Sequence, residues 1–176
     1  YRVDGPSREN KKIRKLRGNI TGNQFEEFIN TSETMIGASG AIVNERLHVF
    51  GGALYEDFEA TNKIFIYPLN NPQSYEEFSM TVKADVTFVH KYGEMILVAG
   101  HKGLYGTDKT SFVGLFDTTT NTFEEIKTNL DSESGTKAIH QMIVKEDKII
   151  VLFGHKASSQ LPMSKWSILS ADLLKD

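Results

Sequence analysis

Phe116-Asp117-Thr118-Thr119-Thr120-Asn121-Thr122-Phe123-Glu124-Glu125-Ile126 decides how the rest of this chain is read. Asp117 and Asn121 supply turn chemistry between two runs of aromatic and β-branched residues, so the stretch reads as strand, tight turn and returning strand. Its second half, an aromatic residue, then Glu-Glu, then an apolar residue, has two further copies: Phe25-Glu26-Glu27-Phe28 and Tyr75-Glu76-Glu77-Phe78. The copies start at 25, 75 and 123, a period of roughly fifty residues that marks an array of similar units.

A second marker keeps the same period. Apolar runs end in glycine at Leu47-His48-Val49-Phe50-Gly51-Gly52, at Met95-Ile96-Leu97-Val98-Ala99-Gly100-His101 and at Ile149-Ile150-Val151-Leu152-Phe153-Gly154-His155. Each is preceded by a short apolar segment and a polar turn, such as Ala41-Ile42-Val43 before Asn44-Glu45-Arg46, which is hairpin patterning. A third β-rich run follows each glycine after a loop: Ile64-Phe65-Ile66-Tyr67, Phe112 to Phe116, and Trp166 to Ser170. A final turn leads to the aromatic-Glu-Glu strand. The unit is four antiparallel strands, the size of one β-propeller blade.

Strand, glycine pair, loop, aromatic-Asp turn and an aromatic opening the fourth strand together resemble the kelch repeat. The resemblance covers about residues 13 to 172. It departs from the family pattern in keeping Gly-Gly only at Gly51-Gly52, with Gly-His in the other two units, and in having Phe or Tyr where the family usually has Trp. The expected fold is therefore all-β, a β-propeller of four-stranded antiparallel kelch-like blades. Residues 13–29 are read as the last two strands of one blade, 36–80 and 82–128 as full blades, and 138–172 as the first three strands of another. That makes an incomplete ring within one domain, with the remaining blades expected from further segments or another chain. The small-residue run Gly37-Ala38-Ser39-Gly40-Ala41 falls where a blade should crowd the central axis.

Composition narrows the function classes. The 176 residues include no cysteine, so stability must come from burial, and a reducing, cytoplasmic setting is expected. No apolar run is long enough to span a bilayer as a helix. Residues 1–17 hold seven basic side chains against two acidic ones, a net +5, so the rest of the chain sums to −8 within the total of −3. That stretch lacks aromatics to stack on bases, so it reads as a solvated loop and nucleic acid is not expected as a partner. The sequons Asn19-Ile20-Thr21 and Asn30-Thr31-Ser32 matter only for a secreted chain.

No phosphate-binding loop, zinc-ligand helix or nucleophile elbow is present, and no catalytic residue, metal or cofactor is expected. His101 and His155 hold equivalent positions in two units and read as replacements of the second glycine. The recurrent Glu-Glu pairs alternate between sheet faces and so cannot form a catalytic couple; they read as solvated charges on an outermost strand. The long loops after the second strand, about 52–62, 101–111 and 155–165, carry Tyr55, Asp57, Phe58, His101, Lys102, Tyr105, His155 and Lys156. Aromatics amid mixed charge suit a protein-recognition surface. In kelch domains these loops typically line the ligand face, so the resemblance implies the same role. The expectation is a protein–protein interaction module of scaffold or substrate-receptor type. The competing classes are a sugar-modifying enzyme and a carbohydrate-binding propeller.

Overall fold

The computed structural model describes residues 2–3, 12–17, 24–31, 35–54, 59–102, 110–126, 137–145, 148–155 and 165–172. Regular structure among them is entirely β, and the pairing is antiparallel throughout. Four main sheets follow the chain in order. The first joins β1 (Arg2–Val3), β2 (Lys12–Arg17) and β3 (Gln24–Asn30). The short β4 (Met35–Ile36) pairs with β7 (Ala53–Leu54) as a separate ribbon.

The second sheet is β5 (Ser39–Val43), β6 (Arg46–Phe50), β8 (Lys63–Pro68) and β9 (Glu76–Ser79), in that order. The third repeats it with β10 (Ala84–Tyr92), β11 (Met95–Lys102), β12 (Thr110–Asp117) and β13 (Thr122–Ile126). The fourth has β14 (Lys137–Lys145), β15 (Lys148–His155) and β16 (Lys165–Asp172). Each is an up-and-down meander, and among the described residues no sheet closes on itself.

The continuous apolar runs are explained by stacking. Sheets two and three are covered on both faces, so their central strands need apolar residues at every position rather than every second one. Leu47, Val49, Phe65 and Tyr67 pack with Ile29 of the first sheet. The alternate residues Phe50, Ile64 and Ile66 pack with Ile96, Val98, Phe112 and Phe116 of the third sheet. Leu97, Ala99 and Val113 point the other way, onto Met142 and Ile149 of the fourth. Phe50, Phe112 and Phe116 are essentially inaccessible, and burying each such side chain contributes about 1.5–3 kcal/mol.

The fourth sheet departs from the repeat. In sheets two and three the residues one and three positions before the glycine, Phe50 and His48 or Ala99 and Leu97, face the sheet that follows. In sheet four Ile149, five positions before Gly154 and so on the same side of its strand, faces back onto the third sheet. β14 lies across β10, β11 and β12, whereas β5 packs on β10. The sequence repeat is thus not matched by an equal packing repeat at that junction.

The basic N-terminal stretch is not a loop at Lys12–Arg17. It is β2, and its register sets Arg14 opposite Glu27 and Lys15 opposite Glu26 of β3.

Candidate functional site

The two ends of the sheets differ in their connections. At one end the hairpins between first and second strands turn in two residues, and the β12–β13 and β8–β9 connections take four (118–121) and seven (69–75). Asn44 and Glu45 both take left-handed backbone conformations (φ 49° and 57°), as a tight hairpin turn needs, and Gly93 does the same (φ 58°) before Glu94. The turns are tied together: the Asn44 side-chain amide donates to Glu94 Oε2 at 2.6 Å, and the Thr118 hydroxyl donates to the Glu94 carbonyl at 2.7 Å. In the β12–β13 turn, Asp117 Oδ1 accepts from Thr119 N at 2.8 Å and Thr119 Oγ1 at 2.6 Å. Those hydrogen bonds hold the Asp117 carboxyl below its ordinary pKa.

At the opposite end the connections are long: 51–62 between β6 and β8, 103–109 between β11 and β12, and 156–164 between β15 and β16. The base of the first is held by backbone. Gly51 N donates to Lys63 O at 2.9 Å, Gly52 N to Ala84 O at 2.9 Å, Thr61 N to Gly52 O at 2.8 Å and Ala84 N to Thr61 O at 3.1 Å. Both glycines have positive φ (55° and 94°), and a Cβ on Gly51 would sit 2.5 Å from the Ala84 carbonyl. The double glycine is therefore the point where the loop base is fastened to the next sheet.

The candidate residues distribute as follows. Tyr55, Asp57, Phe58, Tyr105 and Lys156 lie outside the described residues. β11 extends through His101 and Lys102, so these belong to the strand and not to the loop. His101 is 7% exposed. Lys102 is half-buried and ion-paired with Glu125. His155 is the last residue of β15, in register with Lys137 and Lys165.

The register brings together a row that the sequence did not announce: Asp85 opposite His101, and His101 opposite Ser111. Asp, His and Ser are residue types used in nucleophilic catalysis. Here His101 and Ser111 are both buried within the sheet, so the row is a polar seam between strands and not an open cleft. The Asp85 carboxylate lies against Gly37, whose φ of 71° and missing side chain leave it room. No signal in the sequence could have found Asp85, because its alignment depends on a bulge between Val86 and Phe88 that shifts the register.

The glutamate pairs occupy β9 and β13, the edge strands of their sheets, as charges that discourage edge pairing. They also have basic partners. Glu76 pairs with Arg46, Glu77 with Lys63 at 3.6 Å and Glu125 with Lys102. His48 is 1% exposed, 5.8 Å from the Phe116 ring, and its Nδ1 lies 3.1 Å from the Arg46 carbonyl oxygen. Burial lowers its pKa below 6.5 against the opposing pull of that hydrogen bond. Among the described residues, no group of three or more His, Asp or Glu side chains is placed to hold a metal ion.

No family model matches the chain, and no curated protein does. Among solved structures the chain is similar to a protein from Clostridium novyi NT described as a "putative conserved lipoprotein". The TM-score is 0.55 at 16% sequence identity, over 82% of this chain and 91% of that one. At that identity the likeness is one of fold. No helix among the described residues is long and apolar enough to cross a membrane.

Proposed function

We propose that this chain is a non-catalytic recognition module of kelch-like propeller blades, which binds a protein partner through the connections β6–β8, β11–β12 and β15–β16. The observation that carries the reading is the asymmetry of the two ends. At one end the hairpins between first and second strands turn in two residues and the β12–β13 and β8–β9 turns in four and seven (118–121 and 69–75), while the connections after the second strand, at the opposite end, run to seven, nine and twelve residues (103–109, 156–164 and 51–62). Binding surfaces are built from such loops on a rigid scaffold. The backbone bonds at Gly51, Gly52 and Ala84 supply the rigidity at the base of the first loop. The successive four-stranded meanders of sheets two and three support the blade reading.

The compartment we propose is extracytoplasmic rather than cytoplasmic. A structural neighbour is described as a lipoprotein, and a cysteine-free chain is as compatible with export as with a reducing environment.

A photo-crosslinking residue at Tyr55 or Tyr105, and a control at Gln73 in the β8–β9 turn at the other end, test the binding face. The expected result is one shared protein partner captured from 55 and 105 and not from 73. Capture from position 73 alone, or of unrelated proteins from each loop, would remove the reading. Saccharide retention that is lost on substitution of Tyr55 and Tyr105 would favour carbohydrate binding instead.

A further inference from the structure

Two repeat-equivalent aromatic residues end in different places. The aromatic that opens the Glu-Glu motif is Phe123 in the third sheet and Tyr75 in the second, where it stands just before β9. The registers align the two units: Glu125 lies opposite Gly114, and Glu77 lies opposite Phe65. Gly114 leaves a gap, and the Phe123 ring lies where a Cβ would be and packs on the core. In the second sheet Phe65 fills the corresponding place. Tyr75 is therefore held at the surface, 40% exposed.

Two buried rings fix it there. Phe65 meets Tyr75 edge-on with centroids 5.8 Å apart, and the Tyr67 ring lies 5.5 Å away, each of the two being 1% exposed. A tyrosine has few rotatable bonds, so a ring supported in this way is a rigid platform that loses little entropy when a ligand stacks on it. Alternation along β8 and β9 puts Lys63, Phe65, Tyr75 and Glu77 on one face. Lys63 and Glu77 pair at 3.6 Å, each with part of its side chain exposed. The turn leading to Tyr75, Asn70-Asn71-Pro72-Gln73-Ser74, adds the exposed amides of Asn70 and Gln73. It is braced by the Ser74 hydroxyl, which donates to the Asn71 carbonyl at 3.0 Å.

Size and chemistry select the ligand. A standard protein interface buries about 800 Å² on each partner around several apolar anchors. Here one ring is open and the two behind it are shut. A single aromatic face beside an ammonium, a carboxylate and amides suits a pyranose, whose C–H face stacks on the ring while its hydroxyls take and give hydrogen bonds. We propose that Tyr75 is the stacking platform of a hexopyranose-binding subsite, with Lys63, Glu77 and the amides of the β8–β9 turn as partners for the sugar hydroxyls. The subsite lies at the end of the second sheet opposite the long connections, and it does not depend on the protein-binding role given to them.

Isothermal titration of the intact chain with cellotetraose, mannotetraose and chitotetraose is the test. Saturable binding of at least one is expected. Tyr75→Ala should weaken it about tenfold or more with the thermal midpoint retained. Tyr75→Phe should keep it within about twofold, because stacking needs the ring and not the hydroxyl. Saturation-transfer NMR should mark the C–H protons of one sugar face most strongly. Failure of all three sugars to bind, or binding that Tyr75→Ala leaves unchanged, overturns the proposal. A dimer that forms without sugar and is lost in Tyr75→Ala overturns the ligand class and gives the ring to a second copy.

Discussion

The imidazole of His48 on β6 lies 5.8 Å from the ring of Phe116 on β12, so a titratable side chain sits at the junction between the second and third sheets. Phe50 meets the same ring edge-on at 5.5 Å. Burial is the dominant influence on the histidine and favours its neutral form. The ion-paired Arg46 and Glu76 act on the same imidazole in opposite directions, Arg46 lowering and Glu76 raising its pKa.

The first prediction concerns acid. The folded pKa of His48 lies below the 6.5 of the unfolded chain, so under mildly acid conditions the unfolded state binds more protons. Stability is complete above 6.5 and is lost as pH falls through the folded value. Urea midpoints measured from pH 7.5 down to 5 should decline in the native chain, and His48→Leu should remove most of that decline. An unchanged slope in the variant would show that the sheet junction is not where the acid sensitivity resides.

Two glycines should differ sharply in what a methyl group costs. A Cβ on Gly100 would overlap the Asp85 carbonyl and crowd Val86 Cα at 2.9 Å, both backbone atoms, so Gly100→Ala should cost several kcal/mol, above the ~1–3 typical of overpacking. Gly93 has open space around it, and only its positive φ opposes a side chain, so Gly93→Ala should cost about 1 kcal/mol. Chemical denaturation of the two variants side by side checks the ranking.

Gly114 and Phe123 form a matched pair. The Phe123 ring lies where a Cβ on Gly114 would be, so Gly114→Ala should destabilise the third sheet. Combining it with Phe123→Leu should cost less than the sum of the two single changes, by about 0.5–3 kcal/mol of coupling. Strict additivity in the double-mutant cycle would mean the ring does not occupy that space in solution.

The recurrent glutamates should matter more for solubility than for stability. Arg46–Glu76 and Lys63–Glu77 are exposed pairs, each expected to contribute about 0–1 kcal/mol and less at high salt. Replacing Glu76 and Glu77 together by threonine should leave the thermal midpoint nearly unchanged while light scattering rises with time, because the β9 edge loses its guard. A large drop in midpoint without association would make the pairs structural instead.

Much of this architecture was legible in the residues. Turn chemistry at Asp117 to Asn121 and at Asn44-Glu45 specifies hairpins through local backbone preference, which needs no tertiary information. The unbroken apolar runs at 64–67 and 95–99 specify strands covered on both faces. The period of the aromatic-Glu-Glu motif marks the outermost strand of each unit, since only an edge strand tolerates adjacent charges. What lay beyond the sequence depends on register and on how sheets meet. The row Asp85, His101 and Ser111 exists because a bulge near Thr87 shifts one strand against another, and the burial of His101 follows from β11 running on past Gly100. The reversed face of the fourth sheet likewise has no local signature. Alternation decides which residues share a side, and only the packing of one sheet on the next decides which side is covered.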